Sequence, residues 1–219
     1  MARTTIIKDE INYLVFGEIY QRFDDPGAKR KAFTILEATI ECLNKKGFGS
    51  ITLEMVAREG GVSRSAIKHY FSDLDDLSWT AIKYIRLRFQ KRVVDAVAKQ
   101  TTPTAMLGQY IDSCFEWVEN QRAHANVWLS FLSQCVRRPT LRELNTTAVV
   151  IGEERIQRLL KLGKEAGAFS FASPEAAAKA VQSLVMGAMI TYASEDLADP
   201  AVYKAVIKRN CLALAGADT

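Results

Sequence analysis

Apolar residues recur along this chain at three- and four-residue steps, and no stretch alternates cleanly with period two, so the pattern predicts helices throughout. Over residues 5 to 23, Ile7, Ile11, Leu14, Val15, Ile19 and Phe23 share one face of a predicted helix of about five turns, with DDPG at 24 to 27 ending it. A second helix is expected from about Ala28 to Lys46, with Phe33, Leu36, Ile40 and Leu43 inward and KKGFG as its cationic last turn and glycine stop. Thr52 can cap a short helix that stops at Gly60-Gly61. Ser63 caps another at once, with Ile67 and Phe71 turned inward beside Val56, Ala57 and Val62. Asp73 and Asp76 fit the N-cap and N3 positions of a long helix from about Leu74 to Ala98, which carries Trp79, Ile82, Ile85 and Phe89 toward the C-terminal region. Further helices are predicted at about 104 to 120, 123 to 136, 140 to 166 and 174 to 194, and from Pro200 to near Ala215.

Composition agrees with an all-α globular fold: 219 residues, 48% hydrophobic and 25% charged, with only five prolines and 12 glycines to interrupt helices. No stretch approaches the roughly 18 apolar residues of a membrane span. Lys8, Asp9, Glu10 and Asn12 break up any signal-peptide pattern at the start, so a cytoplasmic protein with no membrane partner is expected. Cys42, Cys114, Cys135 and Cys211 form no C-x-x-C pair, which predicts four reduced, mostly buried thiols and leaves thiol-based redox sensing as an alternative. Only two histidines occur, His69 and His124, with no glycine-rich phosphate loop and no H-E-x-x-H. A helical enzyme is therefore a remote alternative, and no catalytic residue, metal or cofactor is expected.

Net charge is only +4, but residues 28 to 92 hold 13 Lys and Arg against 7 Asp and Glu, whereas residues 93 to 219 balance and residues 1 to 27 are net negative. A local basic surplus suggests a polyanion for that segment. The glycine break supplies the geometry. Two short helices joined by a tight turn, with a third helix before them, make a helix-turn-helix, whose second helix can enter the DNA major groove. Its outward positions are Arg64, Ser65, Lys68 and His69. Arg and Lys donate to guanine edges, Ser bonds bases or phosphate, and the helix N-terminus faces an anion.

ILEATIECLNKKGFGSITLEMVAREGGVSRSAIKHYFSDLDDL, residues 35 to 77, resembles the DNA-binding domain of TetR-type transcriptional regulators. The resemblance rests on a helix ending in Gly plus an aromatic, a Thr-led short helix containing Val-Ala, then GVS and a helix ending in HYF. It implies a three-helix DNA-binding domain, placed at 28–76, and a helical effector-binding and dimerisation domain at 77–219; the helix expected from periodicity within residues 1–27 is an N-terminal helical extension beyond what the family's core domain needs. The resemblance further implies a homodimeric repressor that leaves double-stranded operator DNA when a small-molecule effector binds. By position, Thr52 and Ser63 match phosphate contacts of the family, and Arg64, Ser65, Lys68, His69 and Tyr70 match its recognition face. Position 68, commonly Tyr, is Lys here; position 74, commonly a phosphate-contacting Lys, is Leu, and Lys29, Arg30, Lys31 or Lys45 are the cations that could compensate.

The resemblance assigns the helices at about 140 to 166 and 174 to 194 to dimerisation. Val181, Leu184, Val185, Ala188 and Met189 form a stripe there, and Ala177, Ala180, Ser183 and Gly187 permit close helix approach. Tyr110, Cys114, Trp117, Trp128, Phe131, Cys135, Met186 and Tyr192 are candidates for an effector pocket, because aromatic and sulfur-bearing side chains line adaptable apolar cavities. VWLSFLSQCVRRPTLRELN faintly resembles the choline- and betaine-responsive branch of the family, where aromatics would hold a quaternary ammonium.

Overall fold

A computed structural model describes residue 23 and residues 25–217. The helix expected over residues 5 to 23 lies outside the described residues, apart from its last position, Phe23. Nine helices and no strand occur among the described residues: α1 (Pro26–Lys46), α2 (Leu53–Glu59), α3 (Arg64–Tyr70), α4 (Leu74–Val97), α5 (Pro103–Asn120), α6 (Arg122–Arg137), α7 (Pro139–Glu165), α8 (Pro174–Ser194) and α9 (Pro200–Leu214).

All five prolines open a helix, where a missing N–H costs no hydrogen bond. Asp25, Thr102, Ser173 and Asp199 stand before four of them and accept a backbone N–H from the first turn with their side chains. Asp25 and Pro26 of the DDPG segment thus start α1, two residues earlier than the pattern suggested. At α4, Asp73 accepts from the Asp76 amide at 2.7 Å while Asp76 accepts from the Ser72 amide at 2.9 Å, a reciprocal cap that fixes where this long helix begins.

The chain forms two compact units. The first runs to Gln90 and takes in α6; the second holds Lys91–Gln121 and everything from Arg138. The division falls inside α4, and the first unit includes a helix that follows the second unit's first stretch in sequence.

In the first unit α1 packs against α2, α3 and α6. Ile35, Leu36, Ile40, Val56, Ile67, Leu77, Ile82 and Ile85 are sealed from solvent, each burial stabilising by roughly 1.5–3 kcal/mol before chain entropy is counted. Trp79 stacks on Phe48 with ring centroids 5.6 Å apart and tilts against Phe131. One polar cluster crosses this core: Glu37 accepts from the Tyr84 hydroxyl at 2.8 Å and meets His124 Nε2 at 2.8 Å, while Arg88 reaches the Tyr84 oxygen at 3.4 Å. Burial alone would raise the Glu37 carboxyl, but the bonds from His124 and Tyr84 and the charges of His124 and Arg88 outweigh it and hold the group below its usual range. In the second unit α5, α7, α8 and α9 form a helical cluster around Ile111, Phe115, Ile156, Leu160, Val181 and Cys211.

The Glu37 cluster generates a pH prediction. A carboxyl whose folded pKa is depressed contributes stability that is fully present above its unfolded pKa, about 4.3, and that vanishes as pH falls through the lower folded value. Glu37→Gln should therefore lower the melting temperature at pH 7 and flatten its decline on the acid side. The Glu37 side chain is 42% exposed, so screening limits the effect to about 1 kcal/mol. Thermal melts of both proteins from pH 7 to about pH 3 check it; parallel curves would contradict it.

Candidate nucleic-acid interface and effector region

The turn between α2 and α3 is held by backbone geometry. Gly61 has φ +61°, a conformation side-chain-bearing residues rarely adopt, and the Val62 amide returns to the Ala57 carbonyl at 3.0 Å. A Cβ at Gly60 would lie 3.1 Å from the Ala38 Cβ, so that glycine also lets the turn sit close against α1. Ser63 then accepts from the Ala66 amide at 3.1 Å and restarts the chain as α3.

Helix α3 is only seven residues long and spends one side on the core. Ile67 is fully buried, and Phe71, just past its end, is 2% exposed. Arg64, Ser65, Lys68 and His69 are exposed on the opposite side, with Thr52 and Ser63 exposed at the starts of the two helices. These six residues thus share an accessible region, as a groove-reading surface requires. Tyr70 differs: it is half-buried, with its ring edge-on to Phe23 at 5.9 Å and to His69 at 5.0 Å, so it supports the face more than it forms it.

The cations are not all idle. Arg64 forms an ion pair with Glu54 on α2 at 2.5 Å, both partners more than half exposed. Glu54 is held below the usual carboxylate range by its own backbone N–H, by Thr52, and by the charges of Arg64 and Lys68. Lys45 is likewise paired with Glu59 at 2.9 Å. Sequence reading did not find the Arg64–Glu54 pair, although Glu54 stands two positions after a helix-capping Thr52 and its charge could have been set against the basic face opposite.

The eight effector-pocket candidates divide between the units. Trp128, Phe131 and Cys135 are buried on α6 in the first; Tyr110, Cys114 and Trp117 on α5, with Met186 and Tyr192 on α8, belong to the second. Within the second unit the Tyr110 hydroxyl donates to Gln182 at 3.1 Å. Tyr192 donates to Glu119 at 2.5 Å, and Lys204 takes the same carboxylate oxygen at 2.7 Å. Phe115 and Tyr203 lie against the Tyr192 ring, with centroids 5.2 and 6.3 Å away.

Of the α8 residues predicted to meet a second subunit, Val181, Val185, Ala188 and Met189 are buried inside their own chain; Leu184 is half-buried and Gly187 exposed. The face of α8 left open carries Ala176, Ser183, Gly187 and Ile190, with Ala180 half-buried beside them and nothing within 4 Å of where a Gly187 Cβ would stand.

The thiol-sensing alternative is not supported. None of the four cysteines is in a disulfide and all are buried, and burial pushes the Cys114 and Cys211 thiols up, the latter to about 12, leaving almost no thiolate at those two to react. No described helix is long and apolar enough to cross a membrane.

Residues 35–77 match the family model described as bacterial regulatory proteins, tetR family, and residues 103–216 match that of the BetI-type transcriptional repressor, C-terminal. The HTH-type transcriptional regulator BetI of Pseudomonas paraeruginosa is 27% identical over 112 residues, 50% of this chain and 57% of that protein; its Proteus mirabilis counterpart is 25% identical over 50% and 56%. The chain therefore spans little more than half the length of the curated relatives it matches. Among solved structures, a TetR transcription regulator from Haloarcula marismortui superposes with a TM-score of 0.72 at 19% identity, over 85% of this chain and 96% of that one. A transcriptional regulator from Saccharomonospora viridis, in complex with choline, gives 0.72 at 17% identity over 82% and 94%. These likenesses show the fold.

An acid that occupies Arg64 competes with any anion meeting α3. Glu54→Gln should therefore strengthen binding to duplex DNA by up to about fivefold, the worth of an exposed ion pair, as read by fluorescence anisotropy at fixed salt. Weaker binding would mean that Glu54 serves to aim the guanidinium.

Proposed function

The chain belongs to the TetR family of bacterial regulatory proteins, with a BetI-type C-terminal region, and on that premise we propose that it is a dimeric repressor released from its operator by a small molecule. It is a transcriptional regulator and not an enzyme, as its relatives are. The observation that carries the DNA reading is the exposed set Thr52, Ser63, Arg64, Ser65, Lys68 and His69 on a capped, glycine-turned α2–α3 pair. Arg64 and Lys68 would donate to base edges or phosphates, while Thr52 and Ser63 would hold the backbone and fix register.

Dimerisation is supported by the open small-residue face of α8, which would admit a second helix closely. Two α3 helices related by a twofold axis would read two related half-sites about one DNA turn apart, or a multiple of it. The effector reading draws support from the BetI-type match and from the choline bound by the Saccharomonospora viridis neighbour. A ligand in the C-terminal unit would release DNA by changing the separation of the two recognition helices.

Selection of bound duplexes from a random library should return paired, inverted half-sites; a single asymmetric site would contradict the dimer. On the selected duplex, Arg64→Ala and Lys68→Ala should each lower affinity with no change in melting temperature, because both side chains are exposed. Affinity should also fall by about a thousandfold between roughly 50 and 200 mM salt if about six phosphates are neutralised. For any effector, linkage requires that its affinity drop in the presence of operator by the same factor by which it weakens operator binding. Equal affinities in the two states would exclude release by that compound.

A further inference from the structure

Helix α7 turns a charged residue into its apolar face. Ala148, Gly152, Ile156, Leu159, Leu160 and Gly163 are buried along α7, and Arg155 sits among them at 6% exposure. Its Nε and Nη2 are sealed from solvent and have no hydrogen-bond partner. Those two nitrogens lie on one edge of the guanidinium and present parallel N–H groups, the side-on fork that takes both oxygens of a carboxylate.

Among the described residues, no carboxylate pairs with it. The groups whose charge bears on Arg155 are Tyr110, Arg158 and Cys114, none of them a carboxylate; burial lowers the guanidinium's affinity for its proton, yet an arginine stays charged at neutral pH. Two carboxylates on the neighbouring α5 are already engaged by lysines of α9, Asp112 by Lys208 at 2.5 Å and Glu119 by Lys204 at 2.7 Å. A buried charge without a counter-ion is among the most expensive features a core can hold. Beside it stand two polar groups with a fixed arrangement: Tyr110 donates to Gln182, and Gln182 lies against Gly152, where a Cβ would come 3.1 Å from its amide nitrogen. Gly152 is one turn before Arg155, so the space that admits Gln182 is on the same stretch of α7.

We propose that the C-terminal unit binds a small molecule bearing a carboxylate, held bidentate by Arg155 between α5, α7 and α8, with Tyr110 and Gln182 bordering the site. This rests on the reading that the C-terminal unit takes an effector and adds its chemical class. The carboxylate would supply the missing counter-charge, so the ligand and the folded unit stabilise one another.

The test uses the full chain at constant ionic strength and matched pairs of probes: butyrate against butyramide, benzoate against benzamide, and glycine betaine against choline, which share a trimethylammonium but differ in the carboxylate. At least one carboxylate should raise the melting temperature where its neutral or cationic counterpart does not. Arg155→Met should melt at or above the wild-type temperature without ligand, since the orphaned charge is gone, and should lose the carboxylate response, with Kd by calorimetry weakened at least tenfold. Arg155→Lys, which keeps the charge but not the fork, should retain only a weak response. No response of the wild type to any of the three carboxylates, or an undiminished response in Arg155→Met, would overturn the site. Repeating the titration in the presence of operator separates the two readings: carboxylate binding that leaves DNA affinity unchanged would uphold the Arg155 site and sink effector release. DNA release by choline with no carboxylate response would do the reverse.

Discussion

The contact between Gly60 and Ala38 is the constraint on which the first unit's surface depends. With only 3.1 Å between the place of a Gly60 Cβ and the Ala38 Cβ, the α2–α3 turn is pressed onto α1, and the positive φ of Gly61 then sends the chain back out within one residue. Ile67 and Phe71 are thereby drawn into the core formed by Ile35, Leu36 and Val56, and burial of one side of α3 leaves its other side to solvent. The exposed row Arg64, Ser65, Lys68, His69 follows from helical periodicity once Ile67 is pinned. A seven-residue helix has too few internal hydrogen bonds to stand alone, so its cap at Ser63 and its packing carry it.

Two treatments of charge coexist in the molecule. On the surface of the first unit, Arg64 and Lys45 are each neutralised by an exposed glutamate, pairs weak enough for a polyanion to replace. Inside the second unit, the buried Nε and Nη2 of Arg155 have no hydrogen-bond partner among the described residues. The first arrangement suits a site that must stay soluble when empty and exchange counter-ions on binding. The second suits a site where one specific acid completes the core.

Much of the fold was legible because the chain marks its helix ends redundantly. Asp25-Pro26, Ser173-Pro174 and Asp199-Pro200 place starts to within a residue or two, and the Asp73–Asp76 pair fixes α4, since capping is local chemistry that tertiary packing seldom overrides. The outward face of α3 was legible for the same reason. What escaped is tertiary. Periodicity assigns Val181, Val185, Ala188 and Met189 to a buried stripe without saying whether the burying surface is the same chain, and the structure buries them within it. Grouping aromatics and cysteines by type could not foresee that α6 joins the first unit while α5 and α8 belong to the second. Arg155 was readable in principle as a charge in phase with an apolar stripe, but nothing in the sequence says that its Nε and Nη2 find no partner among the described residues.

The central claim is that the exposed face of α3 is where this regulator meets DNA. Hydrogen–deuterium exchange of the full chain, with and without random-sequence duplex at low salt, addresses it directly without requiring the operator to be known. The account predicts slowed exchange in the segment from Thr52 to Tyr70, with α9 unaffected. Protection confined to other segments, or none in Thr52–Tyr70 at saturating DNA, would contradict it.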